Sequence, residues 1–157
     1  MKLLVLSDLH VEFADFEPDR EAAEAADVVV LAGDIHQGTA GMVWARQTFP
    51  GKPIIYVAGN HEFYGQHWDT LLPELRQKAD EFGIHFLEND SVTIDGMRFL
   101  GTTLWTDFDM FGRSRRSQNM LASEGALNDF RLIKAETIQP ERVLAILNLQ
   151  DLSLIHI

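Results

Sequence analysis

The chain has no cysteine, which excludes a disulfide framework, a thiolate zinc site and a cysteine nucleophile. Any metal it binds must be held by oxygen or imidazole. It is also poor in positive charge: 13 Lys and Arg stand against 24 Asp and Glu, a formal net charge of -11. That balance argues against an extended nucleic-acid surface or a grip on anionic lipid, because the surface as a whole repels both polyanions. Long apolar runs are missing too. Residues 1–6 open like a signal peptide, but Asp8 and His10 interrupt them, and no other stretch is long enough to span a bilayer. Cytoplasmic residence is therefore the default expectation. Internal repeats and low-complexity tracts are absent. What remains is 157 residues with 46% hydrophobic content, enough for one core and one globular domain.

Three short apolar runs each lead into residues that bind metals. Leu3-Leu4-Val5-Leu6 runs into Asp8-Leu9-His10, Val28-Val29-Val30-Leu31 into Gly33-Asp34, and Ile54-Ile55-Tyr56-Val57 into Gly59-Asn60-His61-Glu62. A buried parallel strand reads as such a run, and in open α/β sheets the ligand site lies beyond the carboxyl ends of the strands. The three clusters are therefore expected to converge on one crevice.

Helical spacing fills the gaps between strands. Residues 18–26 are rich in helix formers, residues 39–49 read as a second helix, and residues 67–82 carry apolar side chains at helical spacing with Gly83 as the stop,. Extended pieces are expected at 84–87, 91–94 and 97–103, the last two joined by Asp95-Gly96, a strong two-residue hairpin signal. A loop with the basic cluster Arg113, Arg115 and Arg116 then leads into irregular helix, and residues 140–149 again have helical periodicity,.

Taken singly, each motif has a plain reading. Asp8 and His10 suit a strand end, where positions i and i+2 point the same way, but they equally suit a turn acid and a partly exposed histidine. Asp34 suits a helix N-cap, and Asn60-His61 a polar turn. The ordered set D-x-H, G-D, G-N-H-E nevertheless resembles that of the metal-dependent phosphoesterases with a calcineurin-like fold. Leu100-Gly101-Thr102-Thr103-Leu104-Trp105 is similar to the strand that comes next in that family.

The resemblance implies an α/β fold in which two mixed sheets pack as a sandwich with helices outside. It implies two divalent metal ions, Mn, Fe or Zn, with Asp8 and His10 on one, Asp34 bridging both, and Asn60 on the second. His61 would be the catalytic acid over the phosphate rather than a ligand. Paired cations would neutralise phosphoryl oxygens and lower the pKa of a bridging water, which attacks phosphorus in line as metal-bound hydroxide.

The family pattern continues with a further histidine and a G-H-x-H motif, which this chain lacks. Its other histidines are His36, His67, His85 and His156. The expectation is thus one phosphoesterase domain over residues 1–151 that lacks its C-terminal part and has impaired activity. Residues 152–157 resemble a translated linker more than a native strand. His36 could approach the crevice but reads first as a solvent-facing loop histidine, and Trp44, Trp68 and Trp105 read as core or core-edge residues. Arg113 to Arg116 read as a solvated charge run.

The function expected is hydrolysis of phosphate mono- or diesters of a small-molecule or nucleotide-type substrate. The alternative is a non-catalytic metal- or protein-binding scaffold of the same fold, which the missing histidines favour and the presence of His61 and Asp34 opposes. A phosphoacceptor role for Asp8, as in receiver domains, leaves Asn60-His61-Glu62 without a purpose.

Overall fold

The computed structural model describes residues 1–134. The expected helix at 140–149 and the chain's last residues lie outside that range. Each apolar run forms the strand its composition demands: β1 (Leu3–Leu6), β2 (Val28–Ala32) and β3 (Ile54–Val57). With the two-residue β4 (His85–Phe86) they form one sheet in the order β1-β2-β3-β4, every neighbouring pair parallel. Parallel neighbours need crossover connections. These are α1 (Arg20–Ala25), α2 (Ala40–Thr48) and α3 (Trp68–Phe82). All the strands therefore point their carboxyl ends to the same edge.

The helix boundaries obey local chemistry. Asp19 caps α1, its side chain accepting from Ala22 N at 2.8 Å, so the helix begins after the cap rather than at Pro18. Gly83 ends α3 in the left-handed conformation at φ 61°, a position where other residues are strained. His67 is the N-cap residue of α3, at the helix start assigned to it from the sequence.

The second sheet is the hairpin of β5 (Asp90–Ile94) and β6 (Met97–Gly101), paired antiparallel with Ile94 opposite Met97. Asp95 and Gly96 turn it with φ of 49° and 79°, positive at both central positions as a tight right-twisted turn requires. β6 stops two residues short of the expected Thr103 because Thr102 and Thr103 turn inward to the buried Glu88 carboxylate. That carboxylate accepts from Thr103 N at 3.0 Å and from both hydroxyls.

Alternation along the central strands separates two apolar layers. Val29, Leu31, Ile54 and Tyr56 pack with Met42, Ala45, Phe49, Leu71 and Leu75 of the helices. Val28, Val30, Ile55 and Val57 face Val92, Ile94 and Phe99 of the hairpin. The fold is thus helices on a parallel sheet on an antiparallel one. This is the α/β sandwich expected, each described sheet being uniform in direction. Trp44, Trp68 and Trp105 sit partly buried against the main core, and Trp68 stacks on Phe63 with ring centroids 4.3 Å apart. They are core-edge residues, one of the two positions expected of them.

Candidate metal centre

Asp8 and His10 stand beyond the end of β1, and their backbones adopt left-handed φ of 53° and 48°. The pleat of a strand is therefore not what turns their side chains together, which corrects the i, i+2 expectation. A strained loop does it. The loop is held against the β2 end by Asp8 N to Gly33 O, His10 N to Asp34 O and Val11 N to Ile35 O, each 3.0 Å. Left-handed conformations cost roughly 1–2 kcal/mol each for such residues, and these hydrogen bonds offset them.

Asp34 is likewise left-handed, at φ 56°, and it caps no helix, since the N-cap residue of α2 is Thr39. Its Oδ1 accepts from His61 N at 2.8 Å, joining the second motif to the third. Ligand atoms of Asp8, His10 and Asp34 lie within 4.8 Å of one another, and a second group of the same kind contains His10, Glu12 and His61.

The close approach of the β2 and β3 ends depends on glycine. A Cβ on Gly59 would overlap the Asp34 carboxylate and stand 2.7 Å from Asp34 N. Gly59→Ala should therefore push Asp34 out of position and destabilise the fold by roughly 1–3 kcal/mol, as overpacking does. Thermal melting combined with a metal titration checks this: wild-type behaviour in both would show that the loop has room to spare.

Glu62 fastens the two loops from beneath. Its carboxylate is fully buried and accepts from Asp34 N (3.1 Å), Ile35 N (3.0 Å), Gly59 N (2.7 Å) and Tyr56 Oη (2.8 Å). Burial pushes its pKa up, and those four hydrogen bonds pull the other way without reversing the shift. Burial and then the Glu62 charge hold the Tyr56 phenol protonated, well above its usual range.

His61 opens a single 3-10 turn, His61–Phe63, and its Nδ1 lies 2.9 Å from Glu12 Oε1. A carboxylate can only accept. The proton of that contact belongs to Nδ1, so Nε2 is the nitrogen left for a substrate. The His10 ring is 4.2 Å away, centroid to centroid, and His10 Nδ1 is 3.6 Å from Glu12 Oε1. Partial burial raises the Glu12 pKa, but the His61 hydrogen bond and the nearby imidazoles bring it below the usual carboxylate value. His10 Nδ1 and Glu12 Oε2 are buried without a hydrogen-bond partner among the described residues.

Asn60 precedes that turn. Its Nδ2 donates to Tyr64 Oη at 2.9 Å and to Asp129 Oδ1 at 2.8 Å. Asp129 comes from α5 (Asp129–Leu132), the short helix after α4 (Arg116–Ala126). Partial burial and the Asp129 hydrogen bond push the Tyr64 phenol up to about 12.

All five residues singled out in the sequence, Asp8, His10, Asp34, Asn60 and His61, thus gather at the carboxyl ends of the first three strands. Glu12, Tyr64 and Asp129 were not foreseen. Glu12 extends the D-x-H spacing by another two residues and could have been found that way, whereas nothing in the sequence ties Asp129 to Asn60. His36 lines a cavity of about 590 Å³ with Val11, Phe16 and Trp44. Of the basic cluster, Arg113 and Arg115 are exposed, as expected of a solvated charge run, while Arg116 is partly covered; Arg113 and Arg116 approach the Asp109 carboxylate at 3.4 and 3.7 Å.

The chain matches the model of the calcineurin-like phosphoesterases over residues 1–149. It belongs to that family. An uncharacterised protein of Acanthamoeba polyphaga mimivirus is 28% identical, over 84% of this chain and 51% of its own length. The crystal structure of a phosphopantetheinyl hydrolase from Mycobacterium tuberculosis superposes with a TM-score of 0.61 at 18% identity. That match covers 92% of this chain and 59% of the hydrolase, a likeness that establishes the fold. The chain therefore spans about half the length of these relatives. Among its described residues no helix is long and apolar enough to cross a membrane.

Proposed function

We propose that the chain carries the catalytic residues of a metal-dependent hydrolase that cleaves small phosphate mono- or diesters with two divalent cations. The observation that carries this is the convergence of Asp8, His10 and Asp34 ligand atoms within 4.8 Å, with His61 held beside them through Asp34 and Glu12. The donor set fits a borderline cation, being mixed carboxylate, amide oxygen and imidazole, and Mn, Fe and Zn all suit it.

Asp8 and His10 would hold one ion, Asp34 both, and Asn60 the other through its amide oxygen. When bound, such a pair neutralises phosphoryl charge and activates water at neutral pH. The protein's own part is positional. The crowded loops after β1, β2 and β3 fix the ligands, and Glu12 fixes the tautomer of His61 so that Nε2 faces the ester. In its protonated form His61 gives a proton to the departing oxygen. The cavity walled by Val11, Phe16, His36 and Trp44 begins one residue past His10 and two past Asp34. Its volume suits the organic group of a small ester.

Activity is best tested on a chain extended to the length of its relatives and loaded with Mn²⁺. It should cleave bis-p-nitrophenyl phosphate, and His61→Ala should lower kcat by roughly 10²–10⁴-fold, the usual worth of a general acid. Absence of cleavage together with indifference to the His61 substitution would sink the reading.

A further inference from the structure

The hydrogen bonds that hold Asn60 fix more than its place in the chain. An asparagine amide has a donating and an accepting end, and only the oxygen can bind a cation. Which end faces a ligand is ordinarily a matter of assignment. Around Asn60 the neighbouring groups decide it. Asp129 Oδ1 lies 2.6 Å from Tyr64 Oη and 2.8 Å from the Asn60 amide nitrogen. An ionised carboxylate only accepts, so both of those neighbours must donate to it. The single hydroxyl hydrogen of Tyr64 is then used on Asp129. At the third contact, 2.9 Å between Tyr64 Oη and Asn60, the phenol oxygen has only a lone pair to offer. Asn60 must donate there too. Both hydrogens of its amide are consumed, and the reversed amide would set oxygen against oxygen at two contacts.

The geometry points to Asp129 and Tyr64 as positioning residues that lock the Asn60 amide with its carbonyl oxygen free for a cation. This rests on the metal-site reading proposed for the chain. The lock itself is well anchored. Gly65 N donates to Leu132 O (2.7 Å), Trp68 N to Lys134 O (2.8 Å) and Lys134 N to Gln66 O (2.9 Å). These three backbone bonds fasten the segment carrying Asp129 to the residues just after the third motif. The Tyr64 ring also lies against His61, with centroids 4.3 Å apart. Two donated hydrogen bonds, one to a full negative charge, draw electron density toward the amide oxygen and make it a better ligand. Outer partners of this kind commonly change metal affinity 10–100-fold. The device also explains how a neutral ligand holds its place beside charged ones. Its orientation is set by a carboxylate one step removed from the ion.

The test uses the 157-residue chain, isotopically labelled and titrated with Zn²⁺. The side-chain carbonyl carbon of Asn60 reports its own coordination, and the His10 ring reports the neighbouring ion. In Asp129→Ala the Zn²⁺ concentration needed to shift the Asn60 signal should rise about 10–100-fold. The His10 response should stay in place, and Tyr64→Phe should show a smaller rise. A merely structural role would weaken both responses together and lower the melting temperature in EDTA. An Asn60 response unchanged in Asp129→Ala overturns the inference while leaving the metal site standing. If the wild-type chain takes up no Zn²⁺, the metal-site reading falls. The Asn60 amide protons then judge the lock alone: a downfield, slowly exchanging pair that collapses in Asp129→Ala upholds it, and an unchanged pair overturns it.

Discussion

Replacing Glu62 with alanine is expected to destabilise the fold by roughly 3–5 kcal/mol and to abolish metal uptake in whatever folded protein remains. The size reflects the donors that the carboxylate satisfies. Three backbone N–H groups and the Tyr56 hydroxyl point at it from the loops after β2 and β3 and from β3 itself, and it has no exposed surface. Each donor stranded by its removal costs about 1–3 kcal/mol, and partial entry of water lowers the sum. Nor is the carboxylate replaceable by its amide. Glu62→Gln keeps the shape and one accepting oxygen, but its NH₂ group meets two donors. Turning the amide toward Tyr56 relieves one of them, because a phenol oxygen can accept, and leaves the Ile35 N–H opposed. The glutamine variant should therefore fall between wild type and alanine. Urea unfolding monitored by circular dichroism orders the three. An alanine variant as stable as wild type would show that the loops are held by something other than Glu62.

The same residue shows where sequence reading reaches its limit. The strands, the crossover helices and the Asp95-Gly96 turn were legible because each is a local preference: a period, a cap, a positive φ that only certain residues tolerate. The convergence of three motifs was legible because parallel strands share a carboxyl edge. The means of convergence was not. A strand's alternation is a property of spacing, whereas the left-handed backbones of Asp8, His10 and Asp34 are held by hydrogen bonds to neighbouring loops and to the Glu62 carboxylate. Glu62 stood in a recognised motif without a role, since its four donors become neighbours only after folding. Asp129 lies 69 residues from Asn60, in a short helix with weak periodicity. No spacing rule connects them.

Asp34 offers the sharpest separation of chemistry from architecture, because asparagine can replace it almost atom for atom. Asn tolerates the left-handed backbone at φ 56°, as few residues do. Its oxygen can still accept from His61 N, the bond now 2.8 Å long. What Asp34→Asn removes is the negative charge and one anionic ligand atom. The variant should melt within about 1 kcal/mol of wild type in EDTA, as a substitution that spares packing and hydrogen bonds does. Metal affinity should nevertheless fall by more than about 100-fold, since loss of even an outer partner costs 10–100-fold and Asp34 would serve both ions. Asp34→Ala goes further. It strands the His61 N–H and places alanine in a left-handed backbone, adding roughly 1–2 kcal/mol of strain, so fold and site should suffer together. Calorimetric titration with Mn²⁺ beside melting in EDTA distinguishes the two substitutions. Undiminished Mn²⁺ binding by Asp34→Asn would mean that the ions, if held, are held by other residues, and the shared-ligand role would have to be given up.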